Sequence, residues 1–135
     1  MTPETLVALT GFAFVTSATP GPNNLMLMAS GAHFGMRRTV PHMLGISVGF
    51  SVMCLLVGLG VAGVIFAVPM ADLVLKLLSA AYMLWLAWKI ARAGAPGEGC
   101  AAARPMSFAA AAGFQWVNPK AWAMALGAIS AYAGQ

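Results

Sequence analysis

The sequence predicts an all-α integral membrane protein of about four transmembrane helices, the first and fourth interrupted by proline motifs. Three observations predict it. Hydrophobic residues make up 61% of the 135-residue chain and charged residues only 7%, too apolar a balance for a water-soluble domain of this size. The apolar residues fall into four runs, each near or above the roughly 20 residues that a bilayer span requires. Two of those runs contain residues that break helices, Thr19-Pro20-Gly21-Pro22-Asn23-Asn24 and Asn118-Pro119-Lys120. The whole chain reads as a single membrane domain, residues 1–135, with no room for a second.

The first run covers residues 5–31, and its surplus length fits an interruption rather than a straight rod. The second covers residues 40–68 and ends at Pro69 and Asp72. Gly45 and Gly49 form a GxxxG pattern there, and Ser47, Ser51, Gly58, Gly60 and Gly63 add small surfaces for close helix contact. The third covers residues 73–91, with Lys76 near its start and Tyr82, Trp85 and Trp88 toward its end, where amphipathic rings favour the membrane interface. Residues 93–106 shift to Gly, Pro, Ala and scattered charge, a connecting loop. The fourth run covers residues 107–133 and carries the second break.

Seven Lys and Arg against three Asp and Glu give a formal charge of +4. In a soluble protein that would suggest nucleic acid. Here most of the cations lie at the ends of apolar runs, so those are topology signals and no nucleic-acid partner is predicted. Arg37 and Arg38 fall in one loop, and Lys89, Arg92 and Arg104 around another on the same side. Those loops are expected in the cytoplasm, with the N-terminus, Glu4 and Asp72 outside and Lys76 as the one contrary charge. The expected location is the cytoplasmic membrane, without a cleavable signal, since no basic residue precedes the first apolar run.

Cys54 lies in an apolar run and Cys100 in the loop, so neither a disulfide nor a metal site is predicted, and no cofactor. His33 and His42 flank the arginine pair and are expected at a solvated interface rather than as haem ligands or proton relays. The ten methionines are dispersed and suit adaptable packing. A P-loop, a GxSxG elbow, an HExxH motif and paired intramembrane carboxylates are all missing, so the chain is not expected to be an enzyme.

The two breaks carry the chemistry. Pro20 and Pro22 lack amide hydrogens, so the carbonyls near Thr16 and Ala18 lose their helix partners. In a bilayer such backbone survives only where it is buried in protein or lines a cavity. Gly21 permits close backbone approach. Asn23 and Asn24 bring amide donors and acceptors, and a helix restarting here turns free amides toward a carboxylate. The competing reading is a packed kink, which one proline alone would favour; five breaking or polar residues together favour binding. In the fourth run Pro119 frees the carbonyl near Gln115, and Lys120 puts a cation in an apolar stretch, which costs about 2.5 to 3.5 kcal/mol at a span centre. It is therefore expected to face a partner, a cavity or a substrate carboxylate rather than to snorkel. Trp116 and Trp122 offer flat surfaces equally suited to ligand contact or to packing. The candidate binding residues are thus Thr19, Gly21, Asn23, Asn24, Gln115, Asn118 and Lys120, around the breaks at Pro20, Pro22 and Pro119.

Residues 19–24, Gly35-Met36-Arg37-Arg38, Pro41-His42-Met43-Leu44-Gly45, residues 82–89 and residues 113–122 together resemble the LysE/RhtB family of amino-acid exporters. The motifs span nearly the whole chain in the family's order. The resemblance implies a six-span protein of two inverted three-span halves with broken helices near its centre, of which this chain would hold three spans and the first of the second half, a partial 3+3 inverted repeat. Two C-terminal spans would be absent, and the chain is expected to be truncated. Ser79 and Ala87 stand where the family tends to carry glycine. The implied function is proton-gradient-driven export of amino acids or similar small zwitterions, with the substrate and the lipid bilayer as partners. A noncatalytic membrane interaction or assembly subunit, and a homo-oligomer that covers the small-residue faces, are the other readings.

Overall fold

The computed structural model describes residues 1–92 and 105–132. All their regular structure is helical, in seven helices: α1 (Pro3–Ala18), α2 (Pro22–Phe34), α3 (Met36–Gly58), α4 (Val61–Ala67), α5 (Ala71–Ala91), α6 (Phe108–Phe114) and α7 (Pro119–Tyr132). The expectations for Glu98, Cys100 and Arg104 lie outside the described residues.

Each interrupted run is a pair of helices. The first becomes α1 and α2, separated at Thr19, Pro20 and Gly21; the fourth becomes α6 and α7, separated by a turn that ends at Asn118. Thr2 caps α1 by accepting from the Thr5 amide at 3.2 Å, with Pro3 at the first helical position, and Ser107 caps α6 by accepting from the Ala110 amide at 3.1 Å. The second run departs from the expected limits. Its helix, α3, begins at Met36, before residue 40, and stops at Gly58, well before Pro69. Gly60 takes a left-handed conformation (φ +100°), which ends one helix and starts α4. Asp72 does not end a span but sits in the first turn of α5, where its carboxylate meets Lys76 at 2.7 Å on an exposed face. The contrary charge is therefore locally paired. By length and composition α3 and α5 can each cross a membrane; the 23 residues of α3 rise roughly 35 Å at 1.5 Å each.

α3 is the central element: α2, α4, α6 and α7 all pack on it, while α1 packs on α7. Its buried residues, Thr39, His42, Gly45, Gly49, Met53 and Val57, form one stripe at the three- and four-residue spacing of a helix face. The two GxxxG glycines let α6 come close. A Cβ on Gly45 would lie 2.5 Å from the Phe108 carbonyl oxygen, and one on Gly49 would lie 2.5 Å from the Ala112 Cα, so backbone meets backbone. Gly58 has only the Ile129 side chain within ordinary contact, and Gly60 and Gly63 have open space. Those three do not serve the close packing expected of them.

Met53, Val57, Ala62, Ala121 and Trp122 make the apolar core. Outside it the surface is apolar: Val7, Phe14, Leu59, Val64 and Leu84 are each more than 70% exposed. Water would not tolerate so many large exposed side chains, whereas hydrocarbon does. At the end of α5, Lys89 lies 4.7 Å over the Trp85 ring and Arg92 4.2 Å over the Trp88 ring, the cation–aromatic pairing of an interfacial belt.

Replacing Gly49 by leucine is expected to force α3 and α6 apart and cost about 1–3 kcal/mol, lowering the thermal unfolding midpoint of the detergent-purified protein. Gly58→Ala, whose new Cβ would find its nearest neighbour at 3.7 Å, is expected to leave that midpoint nearly unchanged.

Candidate substrate site at the two helix breaks

α1 ends where Pro20 and Pro22 remove donors, and side chains reach the carbonyls of Val15, Ser17 and Thr19 at its end. The Thr19 hydroxyl donates to the Val15 carbonyl at 2.6 Å, beside the Thr19 amide at 3.0 Å. The Asn24 amide group reaches back to the Ser17 and Thr19 carbonyls at 2.9 and 3.0 Å. The Lys120 ammonium, from α7, donates to the same Thr19 carbonyl. Gly21 then starts α2 in extended conformation with Pro22 at the first helical position. The first backbone bond runs from the Leu25 amide to the Gly21 carbonyl at 3.0 Å, so the Asn23 and Asn24 amides precede the ladder, at the positive end of the α2 dipole.

The fourth run supplies the facing wall. Gln115 is fully buried and exchanges two hydrogen bonds with Asn23: Asn23 Nδ2 donates to Gln115 Oε1 at 2.8 Å, and Gln115 Nε2 donates to Asn23 Oδ1 at 3.1 Å. Gln115 Nε2 also donates to the Ala111 carbonyl at 2.9 Å, which fixes its orientation. The Gln115 backbone carbonyl expected to be freed by Pro119 accepts from the Asn118 amide at 3.3 Å. Asn118, almost wholly buried, places its Oδ1 on the Lys120 amide at 3.1 Å and so caps α7.

The seven candidate residues therefore meet, in two connected groups. Thr19, Gly21, Asn24 and Lys120 surround the end of α1, and the Asn23–Gln115 pair binds the start of α2 to the α6–α7 turn, within which Asn118 caps α7. Gly21 is the point of closest approach, since a Cβ there would stand 2.6 Å from Lys120 Cδ. The Lys120 side chain is only partly exposed.

Two other sequence readings are resolved by this geometry. Trp122 is a packing residue: it is 7% exposed, lies edge-on to Trp116 with ring centroids 5.7 Å apart, and donates its Nε1–H to the Trp116 carbonyl at 2.7 Å. His42 is not at a solvated edge. It is 2% exposed, and neither ring nitrogen has a hydrogen-bond partner in the protein. The helical spacing of Thr39, His42, Gly45 and Gly49 carried that signal, because it places His42 on the glycine face of α3. No group of three or more His, Cys, Asp or Glu is arranged to hold a metal ion among the described residues.

Helix breaks that face each other across a membrane chain are a feature of transporters, and comparison with known proteins identifies which kind. The sequence model of the LysE type translocators matches residues 14–135. The chain belongs to that family. Cysteine/O-acetylserine efflux proteins are similar to this translocator over 136 aligned residues, 98% of the chain and 67% of each relative: those of Salmonella typhimurium (38% identical), Klebsiella pneumoniae subsp. pneumoniae (36%) and Escherichia coli strain K12 (36%). These relatives are named as transporters, not enzymes. No solved structure matches.

The amide pair ties this translocator's two breaks together, and each partner is polar because the other is. Asn23→Leu is expected to destabilise it by about 1–3 kcal/mol, since it takes a partner from the fully buried Gln115 amide, and Gln115→Leu by less, since the Asn23 amide it leaves is only partly buried. The double replacement is expected to cost clearly less than the sum in a double-mutant cycle of detergent denaturation.

Proposed function

We propose that this translocator exports a small zwitterionic amino acid of the cysteine and O-acetylserine class across the cytoplasmic membrane, with the substrate held between the two helix breaks. The observation that carries the proposal is the meeting of Lys120 with the Thr19 carbonyl beside the unladdered start of α2. An amino acid presents a carboxylate and an ammonium a few ångströms apart. The start of α2 offers amides and a positive dipole end to the first; the end of α1 offers carbonyls and a negative dipole end to the second.

Lys120 occupies the acceptor that a substrate ammonium would take. On this reading the substrate displaces it: the ammonium of the amino acid replaces Lys120 at Thr19, and Lys120 turns to the carboxylate. The Lys120 side chain can move because it lies against Gly21, where a larger residue would obstruct it. Asn23, Gln115 and Asn118 hold the walls in register while this exchange occurs. The substrate class follows the names of the relatives.

Four membrane crossings follow on the same reading. α1 with α2 and α6 with α7 each cross as a broken pair, α3 and α5 cross as continuous helices, and the arrangement is a partial 3+3 inverted repeat with the N-terminus outside. The arginines at the start of α3 and the cations at the end of α5 then share the cytoplasmic side. Uphill export draws on the proton gradient.

Cells loaded with cysteine or O-acetylserine and expressing the full-length protein are expected to release it faster than cells without it. Lys120→Met is expected to lower that efflux by roughly tenfold or more, the worth of one charge-assisted contact, while leaving the amount of membrane-inserted protein unchanged. Efflux that expression does not alter, across a broad panel of amino acids, would remove the transport reading. Efflux equal to the parent in Lys120→Met would remove the role of that side chain.

A further inference from the structure

Among the described residues, His42 is the buried side chain whose polar atoms have no hydrogen-bond partner, and the proposed site does not use it. Its neighbours on the α3 stripe do not serve it. Thr39 donates its hydroxyl to the Gly35 carbonyl at 2.8 Å, so in the 2.9 Å contact between Ser30 and Thr39 it is Ser30 that donates. That chain of hydroxyls runs away from the imidazole and ends on backbone. The helix α6, which packs against the same stripe, carries no titratable residue.

A buried imidazole without partners in the protein incurs a desolvation penalty, and native structures keep such groups for a reason. An ionisable side chain inside a membrane domain is functional by default, and histidine serves there in proton relays because it changes charge near neutral pH. The carboxylates and the other titratable groups set within the helices are placed differently. Glu4 and Asp72 are exposed near helix starts, Lys120 is engaged at Thr19, and Tyr82 stacks on Phe114 with centroids 4.7 Å apart. Cys54 is a half-buried thiol, too weak an acid for the task.

The backbone beside His42 provides a place to open. Pro41 lies inside α3, and without an amide hydrogen it leaves the Arg37 carbonyl unbonded in the helix ladder. Proline positions of this kind are where long helices bend. A bend there would move residues 36–40 relative to the glycine contact with α6 and admit water to the imidazole. The charged and titratable groups on the elements around it are His33 on α2, Lys120 and Tyr132 on α7, and Arg37, Arg38 and Cys54 on α3 itself; α4 and α6 contribute none. Of these Arg38 stands one turn before His42, exposed and 5.2 Å over the Phe34 ring.

We propose that His42 is the proton-carrying residue of this translocator: its imidazole binds a proton when the α3 stripe opens to one side of the membrane and releases it to the other side before the stripe closes. Only a proton moves, from water to a ring nitrogen and back to water. The inference rests on the transport reading above and adds to it that the protein opens alternately to the two sides of the membrane.

The test uses the purified full-length protein in liposomes, with cysteine or O-acetylserine as the labelled substrate and two assays. One follows exchange of label at equal concentration and equal pH on both sides, which needs no net proton movement. The other follows substrate accumulation driven by an imposed pH gradient. For His42→Gln and His42→Asn the expected result is exchange close to that of the parent, with gradient-driven accumulation reduced at least roughly tenfold. If the parent exchanges substrate but does not respond to the pH gradient, the inference falls together with the proton-gradient part of the transport reading; if both variants keep gradient-driven accumulation, His42 carries no proton and the transport reading stands. Loss of exchange in both variants assigns His42 to the packing of α3 and overturns the inference as well. A parent that neither exchanges nor accumulates any substrate removes the transport reading itself.

Discussion

In a chain whose outer surface is hydrocarbon-like, every backbone carbonyl released at a helix break has to find its partner inside the protein. The rest of the arrangement depends on this. Pro20 and Pro22 end α1, and the carbonyls of Ser17 and Thr19 are met by Asn24 from the next helix and by Lys120 from a helix about a hundred residues away in sequence. Asn24 thereby ties α2 to the end of α1, and Lys120 ties α7 to it. They also leave the start of α2 unrepaired, because Gly21 has no side chain with which to cap it. Side chains reach the carbonyls at one end of the break, and the amides at the other remain available.

The second condition is proximity. Gln115 can reach Asn23 only if α6 lies almost against α3, and Gly45 and Gly49 allow that by presenting backbone rather than side chain to Phe108, Ala111 and Ala112. Association of helices in lipid gains little from burying apolar surface, so close packing and interhelical hydrogen bonds must supply it. The glycines provide the first and the Asn23–Gln115 pair the second. Asn118 joins them by capping α7 at the point where Lys120 turns back toward Thr19. Packing, capping and the proposed chemistry thus share the same few residues.

Much of this was legible in the sequence, for a physical reason. Proline removes a donor wherever it stands, so the breaks at 20, 22 and 119 could be placed without knowing the fold, and the GxxxG pair predicted close contact although not with which helix. What could not be read were relations between distant residues. Nothing local says that Asn23 pairs with Gln115, or that the Asn24 side chain turns back onto α1. Gly60 looked like one more small packing residue, whereas its positive φ divides the second run into α3 and α4. Trp122 carried two balanced readings until its ring was found in the core. His42 was misplaced because its neighbours Arg37 and Arg38 suggested an interface, while the spacing from Gly45 and Gly49, which decides the face, pointed inward.

The account stands on the contact between the two breaks within a single chain. Its most direct measurement is thiol crosslinking in native membranes of a protein carrying Asn23→Cys and Gln115→Cys, with Cys54 and Cys100 replaced by serine. Because the side chains meet at their tips, a short bifunctional thiol reagent is used to bridge the pair: an intramolecular 23–115 product is expected to form readily, and more slowly with O-acetylserine in excess. As a control, cysteines at Phe12 and Tyr132, whose rings lie 5.7 Å apart between α1 and α7, are also expected to be bridged. A 12–132 product without a 23–115 product, or a 23–115 product found only between two chains, would contradict the contact.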